Sequence, residues 1–127
     1  MAIQNKLIFV VDDDEMFSMM LSDHLSQNPL HKVVRFGTGE EAVRELSKKP
    51  DVIILDYNLN SIDPNAADGK AILQQIKSLD KQACVIMLSS QDQYGTALQT
   101  IVKGALEYVI KDKEAFTRID TILASLA

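Results

Sequence analysis

Four short apolar runs in this chain each end on a polar residue able to do chemistry, and that pattern leaves few folds open. The runs are LIFVV at 7–11, VIIL at 52–55, CVIML at 84–88 and YVI at 108–110. They are followed in turn by Asp12 and Asp13, by Asp56, by Ser89 and by Lys111. Runs of this length and composition read as strands buried on both faces, the habit of a parallel sheet. In an open parallel sheet the carboxyl ends of the strands share one rim, and ligands bind there. Residues far apart in the chain would therefore meet in one pocket of three carboxylates, a hydroxyl and an ammonium. Three carboxylates invite a divalent cation, and a lysine with a hydroxyl suits an incoming phosphoryl group.

Between the runs the apolar positions change to helical spacing. Phe17, Met20, Leu21, His24 and Leu25 recur at i, i+3 and i+4, which predicts an amphipathic helix. Residues 32–36 read as a weaker second strand. Thr38, Gly39, Glu40 and Glu41 match a capping box, with Ala42, Val43 and Leu46 behind it on one face. Ile72, Leu73 and Ile76 mark a third helix. Tyr94, Ala97, Leu98, Ile101 and Val102 mark a fourth, which Gly104 is placed to end. Phe116, Ile119, Ile122, Leu123 and Leu126 mark a fifth. Strict alternation of strand and helix predicts a doubly wound α/β fold, a parallel sheet covered on both faces, and right-handed crossovers leave few ways to wind it.

A chain of 127 residues with 46% apolar content can bury a core without disulfides or a structural metal, so one domain over 1–127 is expected. The lone cysteine, Cys84, falls in a predicted buried strand. It excludes a disulfide framework and makes the cytoplasm the default compartment. No apolar run approaches the roughly 18 residues of a membrane span, and the opening MAIQNKL lacks the basic-then-apolar order of a signal peptide. A net charge of −5 argues against nonspecific nucleic-acid binding.

Other features have plainer readings. His24 and the Met16, Met19, Met20 cluster are expected to pack, His31 to sit in a solvated loop, and Cys84 to lie in the core. The stretch GTGEEA at 37–42 fits a dinucleotide fingerprint, and Asp56 ends the next strand as a ribose-binding acid would. That motif lies on the second strand, however, in a chain long enough for only half a dinucleotide fold. It also leaves Asp12, Asp13 and Lys111 without a role, so a glycine turn into the capping box is the better account.

With these residues in order, the chain resembles the CheY-like receiver domain of bacterial two-component response regulators over nearly its whole length. Asp12 and Asp13 match that family's acidic pair after strand 1, Asp56 its phosphoacceptor after strand 3, Ser89 its hydroxyl residue after strand 4 and Lys111 its lysine after strand 5. Gly104, Ala105 and Tyr108 match the stretch leading to that lysine. The resemblance implies a flavodoxin-like sheet of order 2-1-3-4-5 with five helices. It also implies Mg²⁺ held by Asp13 and Asp56 directly, by Asp12 through water and by the backbone carbonyl of Asn58. Ser89 and Tyr108 would be the switch, Ser89 drawn toward a new phosphoryl group and Tyr108 swinging into the space it leaves. The family is a signalling domain that assists its own Mg²⁺-dependent phosphorylation and dephosphorylation. Its partners are a sensor histidine kinase or histidine phosphotransfer protein and an output protein, whose identity the sequence leaves open. A stand-alone receiver is the leading expectation, and the receiver of a larger transcription regulator is the alternative.

Two departures from the family pattern stand out. Gly69 follows Asp56 by 13 positions, an insertion of roughly five residues rich in turn formers. The stretch 60–68, from Asn60 to Asp68, should therefore form a loop over the edge of the Asp56 pocket, serving partner discrimination or shielding of an acyl phosphate from water. Asp63 and Asp68 within it read as turn residues rather than cation ligands. Second, Asp112 stands after Lys111 where the family usually has proline. A trans bond is expected there, with Asp112 capping the last helix.

Overall fold

The computed structural model describes residues 5–90 and 94–126. Strands β1 (Lys6–Val11), β2 (His31–Phe36), β3 (Val52–Asp56), β4 (Val85–Ser89) and β5 (Glu107–Ile110) form one sheet in the order β2-β1-β3-β4-β5. All four pairings are parallel. The helices are α1 (Glu15–Ser26), α2 (Gly39–Arg44), α3 (Gly69–Leu79), α4 (Tyr94–Val102) and α5 (Ala115–Ser125), with a short 3₁₀ turn at Leu46–Lys48. This is the flavodoxin-like, doubly wound α/β fold expected from the sequence.

The period-two geometry of a strand divides the core into two layers. Phe9, Val11, Ile53, Leu55, Val85 and Met87 face Ala42, Ile72, Leu73 and Ile76 of α2 and α3. The alternate residues Ile8, Val10, Val52, Ile54, Ile86 and Leu88 face Leu21 and Leu25 of α1 and Ile119 and Leu123 of α5. Because both faces are covered, the central strands carry unbroken apolar runs with no alternation. The helix starts follow local chemistry. Asp14 caps α1 through Phe17 N–H, Thr38 caps α2 through Glu41 N–H, and Asp68 caps α3 through Ala71 N–H.

Several expectations need correction. Met16, Met19 and Met20 are exposed at 69%, 47% and 52%. The buried line of α1 runs through Ser18, Leu21 and Leu25, which turns the methionines outward. On α4, Leu98 and Ile101 are half exposed and Thr100 is fully buried, so those two apolar positions do not mark its inner face. The side chains of Tyr94, Ala97 and Val102 lie outside the described residues. Cys84 precedes β4 and is only partly buried. His31 opens β2, with its Nδ1 2.8 Å from Leu25 O, and is not a loop residue. His24 does pack, tilted on Phe116 at 5.1 Å between ring centroids, and also pairs with Asp120 at 2.7 Å.

Gly39 has a packing explanation. A Cβ there would lie 2.2 Å from the Ile72 side chain, so the second glycine of the fingerprint-like stretch lets α2 close on α3. Among the described residues there is no cis peptide bond, and no helix is long and apolar enough to cross a membrane.

Candidate functional site

The sheet order makes β1 the neighbour of both β2 and β3, and the chain reverses winding direction there. Val11 pairs with Leu55, so Asp12 and Asp13 leave the sheet beside Asp56. Leu88 pairs with Asp56, and Ser89 with Ile110. Ser89 is therefore one residue past the partner of Asp56, and Lys111 is one residue past the partner of Ser89. Lys111 N–H donates to Ser89 O at 2.8 Å, prolonging the β4–β5 pairing past the end of β5.

Asp12, Asp13 and Asp56 each offer a carboxylate oxygen within 4.8 Å of the others. Asp12 and Asp56 are both 2% exposed, while Asp13 is half-buried and faces the opening. Lys111 Nζ lies 2.8 Å from Asp12 Oδ2 and 3.5 Å from Asp56 Oδ2. The same ammonium stands 4.6 Å from the centroid of the Phe17 ring, a cation–π contact that holds it over the pocket. Asp12 Oδ1 accepts from Asp14 N–H at 2.9 Å, and Asp56 Oδ1 from Asn58 N–H at 3.3 Å. Ser89 is fully buried at the end of β4. Tyr108 is half-buried on β5, against the layer that contains Met87.

Burial above all, and next the Asp12 carboxylate, push Asp56 up to about 8 from an ordinary 3.8, against the pull of Lys111. Two carboxylates about 4 Å apart repel by roughly 1–4 kcal/mol, depending on the effective dielectric. The metal-free fold should accordingly lose stability as pH rises. Between the unfolded value of 3.8 and the folded value of about 8 the native state binds the extra proton, so this stability is complete below the first and lost through the second. Thermal melts in a chelator from pH 5 to 9 should show the decline for the wild type and a flatter profile for Asp56→Asn. An unchanged slope in the variant would assign the decline to other groups.

The donor set fits a hard cation. It is all oxygen, with no histidine or thiolate in the cluster, as Mg²⁺ prefers. Among the described residues the buried Asp12 Oδ2 accepts no well-formed hydrogen bond, although the Lys111 ammonium lies 2.8 Å from it. Excess negative charge packed this tightly is relieved by a divalent ion.

A family model for the response regulator receiver domain matches residues 8–123. The chain belongs to that family. It is a receiver domain, a signalling unit of the kind that two-component response regulators carry. It is 29% identical over 120 residues to the chemotaxis protein CheY of Bacillus subtilis, covering 94% of this chain and 96% of that one. It is also 29% identical over 123 residues to the alkaline phosphatase synthesis transcriptional regulatory protein PhoP of the same organism, covering 94% of this chain and 49% of the relative. Among solved structures, the receiver domain of NtrX from Brucella abortus superposes with a TM-score of 0.82 at 25% identity, over 94% of this chain and 96% of that one. Receivers generally bind Mg²⁺ at an acidic pocket, and Asp12, Asp13 and Asp56 form such a pocket here.

The sequence missed three contributors to this site. Phe17, expected only to pack, carries the Lys111 ammonium; its place on the inner face of α1 was visible, but its partner was not. Ser61, in the insertion, donates to Asp13 Oδ2 from both its N–H, at 3.0 Å, and its Oγ, at 2.5 Å. Glu40 Oε2 accepts from Ala67 N–H at 3.0 Å, tying the insertion to α2. Nothing local in the sequence signals either loop contact. Asp63 is the expected turn residue, closing onto Asn65 N–H, whereas Asp68 is partly buried and caps α3. Asp112 differs in detail. Glu114 is the N-cap of α5 and makes no side-chain cap bond, while Asp112 accepts from Glu114 N–H at 2.9 Å and pairs with Arg118 at 3.0 Å.

Proposed function

We propose that this receiver takes a phosphoryl group onto Asp56 from a histidine kinase or histidine phosphotransfer protein and signals through a phosphorylation-dependent protein surface. The observation that carries the reading is the convergence of three carboxylates within 4.8 Å beside Lys111. In this reading residues 1–127 act as one receiver domain in the cytoplasm, without direct nucleic-acid contact.

Asp13 and Asp56 would hold Mg²⁺ directly, Asp12 through water, and Asn58 through its backbone carbonyl. When bound, the ion supplies positive charge that lets the crowded carboxylates ionise and accept an anionic donor. Asp56 contributes the attacking oxygen: an O–P bond forms as the donor's P–N bond breaks, and the departing imidazole takes a proton. Lys111 balances charge on the transferred group, and the Ser89 hydroxyl donates to one of its oxygens. The phosphoryl group adds about −1.5 to −2 charges and three acceptor oxygens. Ser89 moves toward it, and Tyr108 follows into the space beside β4. The change is read on the face made by α4, β5 and α5 as a population shift between two states, by a partner that binds one of them better.

The metal half of the proposal is tested by thermal melting. Mg²⁺ at ten times its Kd should stabilise the native state by about 1.4 kcal/mol, since it binds the folded site alone. Asp13→Ala should lose most of that gain. A wild-type melting curve that ignores millimolar Mg²⁺ would sink the assignment.

The PhoP relative, about twice the length of this chain, favours a second reading, in which the same domain regulates an attached output domain. The open reading frame that encodes this chain separates the two.

A further inference from the structure

The insertion after Asp56 is a built loop. Its base is closed by Gly69 N–H donating to Tyr57 O at 2.9 Å. Leu59, near its start, is 1% exposed and belongs to the core. Its middle is turned by Asp63, which accepts from Asn65 N–H through its carboxylate and from Ala66 N–H through its carbonyl, each at 3.0 Å. Its far side is tied to α2 by the Ala67–Glu40 bond. Compact loops closed at the base and packed by their own residues are frequently functional. What this one holds in place is Ser61.

Ser61 sets two donors on one oxygen, Asp13 Oδ2. A carboxylate oxygen has two lone-pair sites, and both are engaged. Asp13 is also the most exposed of the three clustered carboxylates, so the loop engages the acid at the mouth of the pocket. Hydrogen bonds to a carboxylate are about twice as strong as neutral ones. They compete directly with a cation for the same charge.

We propose that Ser61 is a latch on the cation site: it holds Asp13 in the metal-free protein and gives up Oδ2 when a divalent cation enters. The inserted loop then sets the cation affinity of the pocket, and through it the readiness of Asp56 to react. This inference rests on the reading of Asp13 and Asp56 as cation ligands.

The test is a Mg²⁺ titration of the whole chain by calorimetry, with the amide resonance of Ser61 followed in parallel. Ser61→Ala removes one of the two bonds and leaves the backbone donor. It should bind Mg²⁺ about tenfold more tightly, the equivalent of about 1.4 kcal/mol, near the low end for one hydrogen bond to a charged group. Ser61→Thr keeps the hydroxyl and should bind as the wild type does. In the wild type, hydrogen-exchange protection of the Ser61 amide should fall as Mg²⁺ is added. Unchanged or weaker binding in Ser61→Ala overturns the latch while leaving the cation site intact. If the wild type binds no Mg²⁺, or Asp13→Ala binds as tightly as the wild type, the cation reading itself fails and the latch goes with it. Because Ser61 is exposed, neither substitution threatens the fold.

Discussion

Asp56→Asn should reduce phosphoryl uptake to background. With Mg²⁺ and a small acyl phosphate, the wild type is expected to gain one phosphoryl group, located on Asp56 by mass spectrometry. The amide has no anionic oxygen to attack phosphorus, and in the proposed reading Asp12 and Asp13 are committed to holding the cation rather than to attack. Beryllofluoride, which mimics the acyl phosphate, should occupy the wild-type site and leave the variant untouched. The fold should survive and, at neutral pH without metal, gain stability. The variant no longer keeps a carboxylate whose burial and acidic neighbour push it up to about 8. At about 1.4 kcal/mol per pKa unit, with allowance for coupling to Asp12 and Lys111, the gain is on the order of 2–3 kcal/mol. Phosphoryl trapped on another residue of the wild type would refute the assignment of Asp56.

Gly69→Ala should damage the same site from outside it. A Cβ at Gly69 would sit 2.2 Å from Asp56 O and 2.6 Å from Tyr57 Cα. Those are backbone atoms at the end of β3, so no side-chain rotation relieves the clash. Either the start of α3 backs away or the Asp56 segment shifts. The bond from Gly69 N–H to Tyr57 O would be strained, and the base of the inserted loop would open. Overpacking of this kind costs about 1–3 kcal/mol and sometimes more; with backbone on the other side we expect about 3 kcal/mol, a fall in Tm of roughly 10 °C for a domain of this size. Mg²⁺ affinity should fall as well, because Asp56 moves. Gly95→Ala is the control: nothing lies within 4 Å of its Cβ, and replacing an exposed helix glycine should stabilise by about 0.5 kcal/mol. Equal melting temperatures for the two variants would show that α3 tolerates displacement from β3.

Phe9 and Leu55 explain why so much of the fold was legible. Each lies in an unbroken apolar run too short for a helix and bounded by polar residues, and only strands of a sheet covered on both faces satisfy that pattern. The capping box at Thr38 was legible because its spacing is local. Where reading failed, the missing information was orientation. Met20 and Leu21 are adjacent and both apolar, and only the packing of α1 against the sheet and α5 decides which is buried. Thr100 took the inner position on α4 because a buried hydroxyl is tolerated once it is satisfied, and hydropathy does not record that.

The chemistry divides along the same line. The sequence by itself determined which residues stand at the rim, since a strand's end is a local event and parallel strands must end together: Asp12, Asp13, Asp56, Ser89 and Lys111 follow from that alone. It also placed an insertion beside them. Only the tertiary structure decided what those residues touch. The ammonium of Lys111 settles on Asp12 and over Phe17, and Ser61 reaches across 48 positions of chain to Asp13. Such contacts depend on where a loop and a helix face come to rest in three dimensions. Side-chain reach and packing set that position, and neither is encoded in the spacing of residues along the chain.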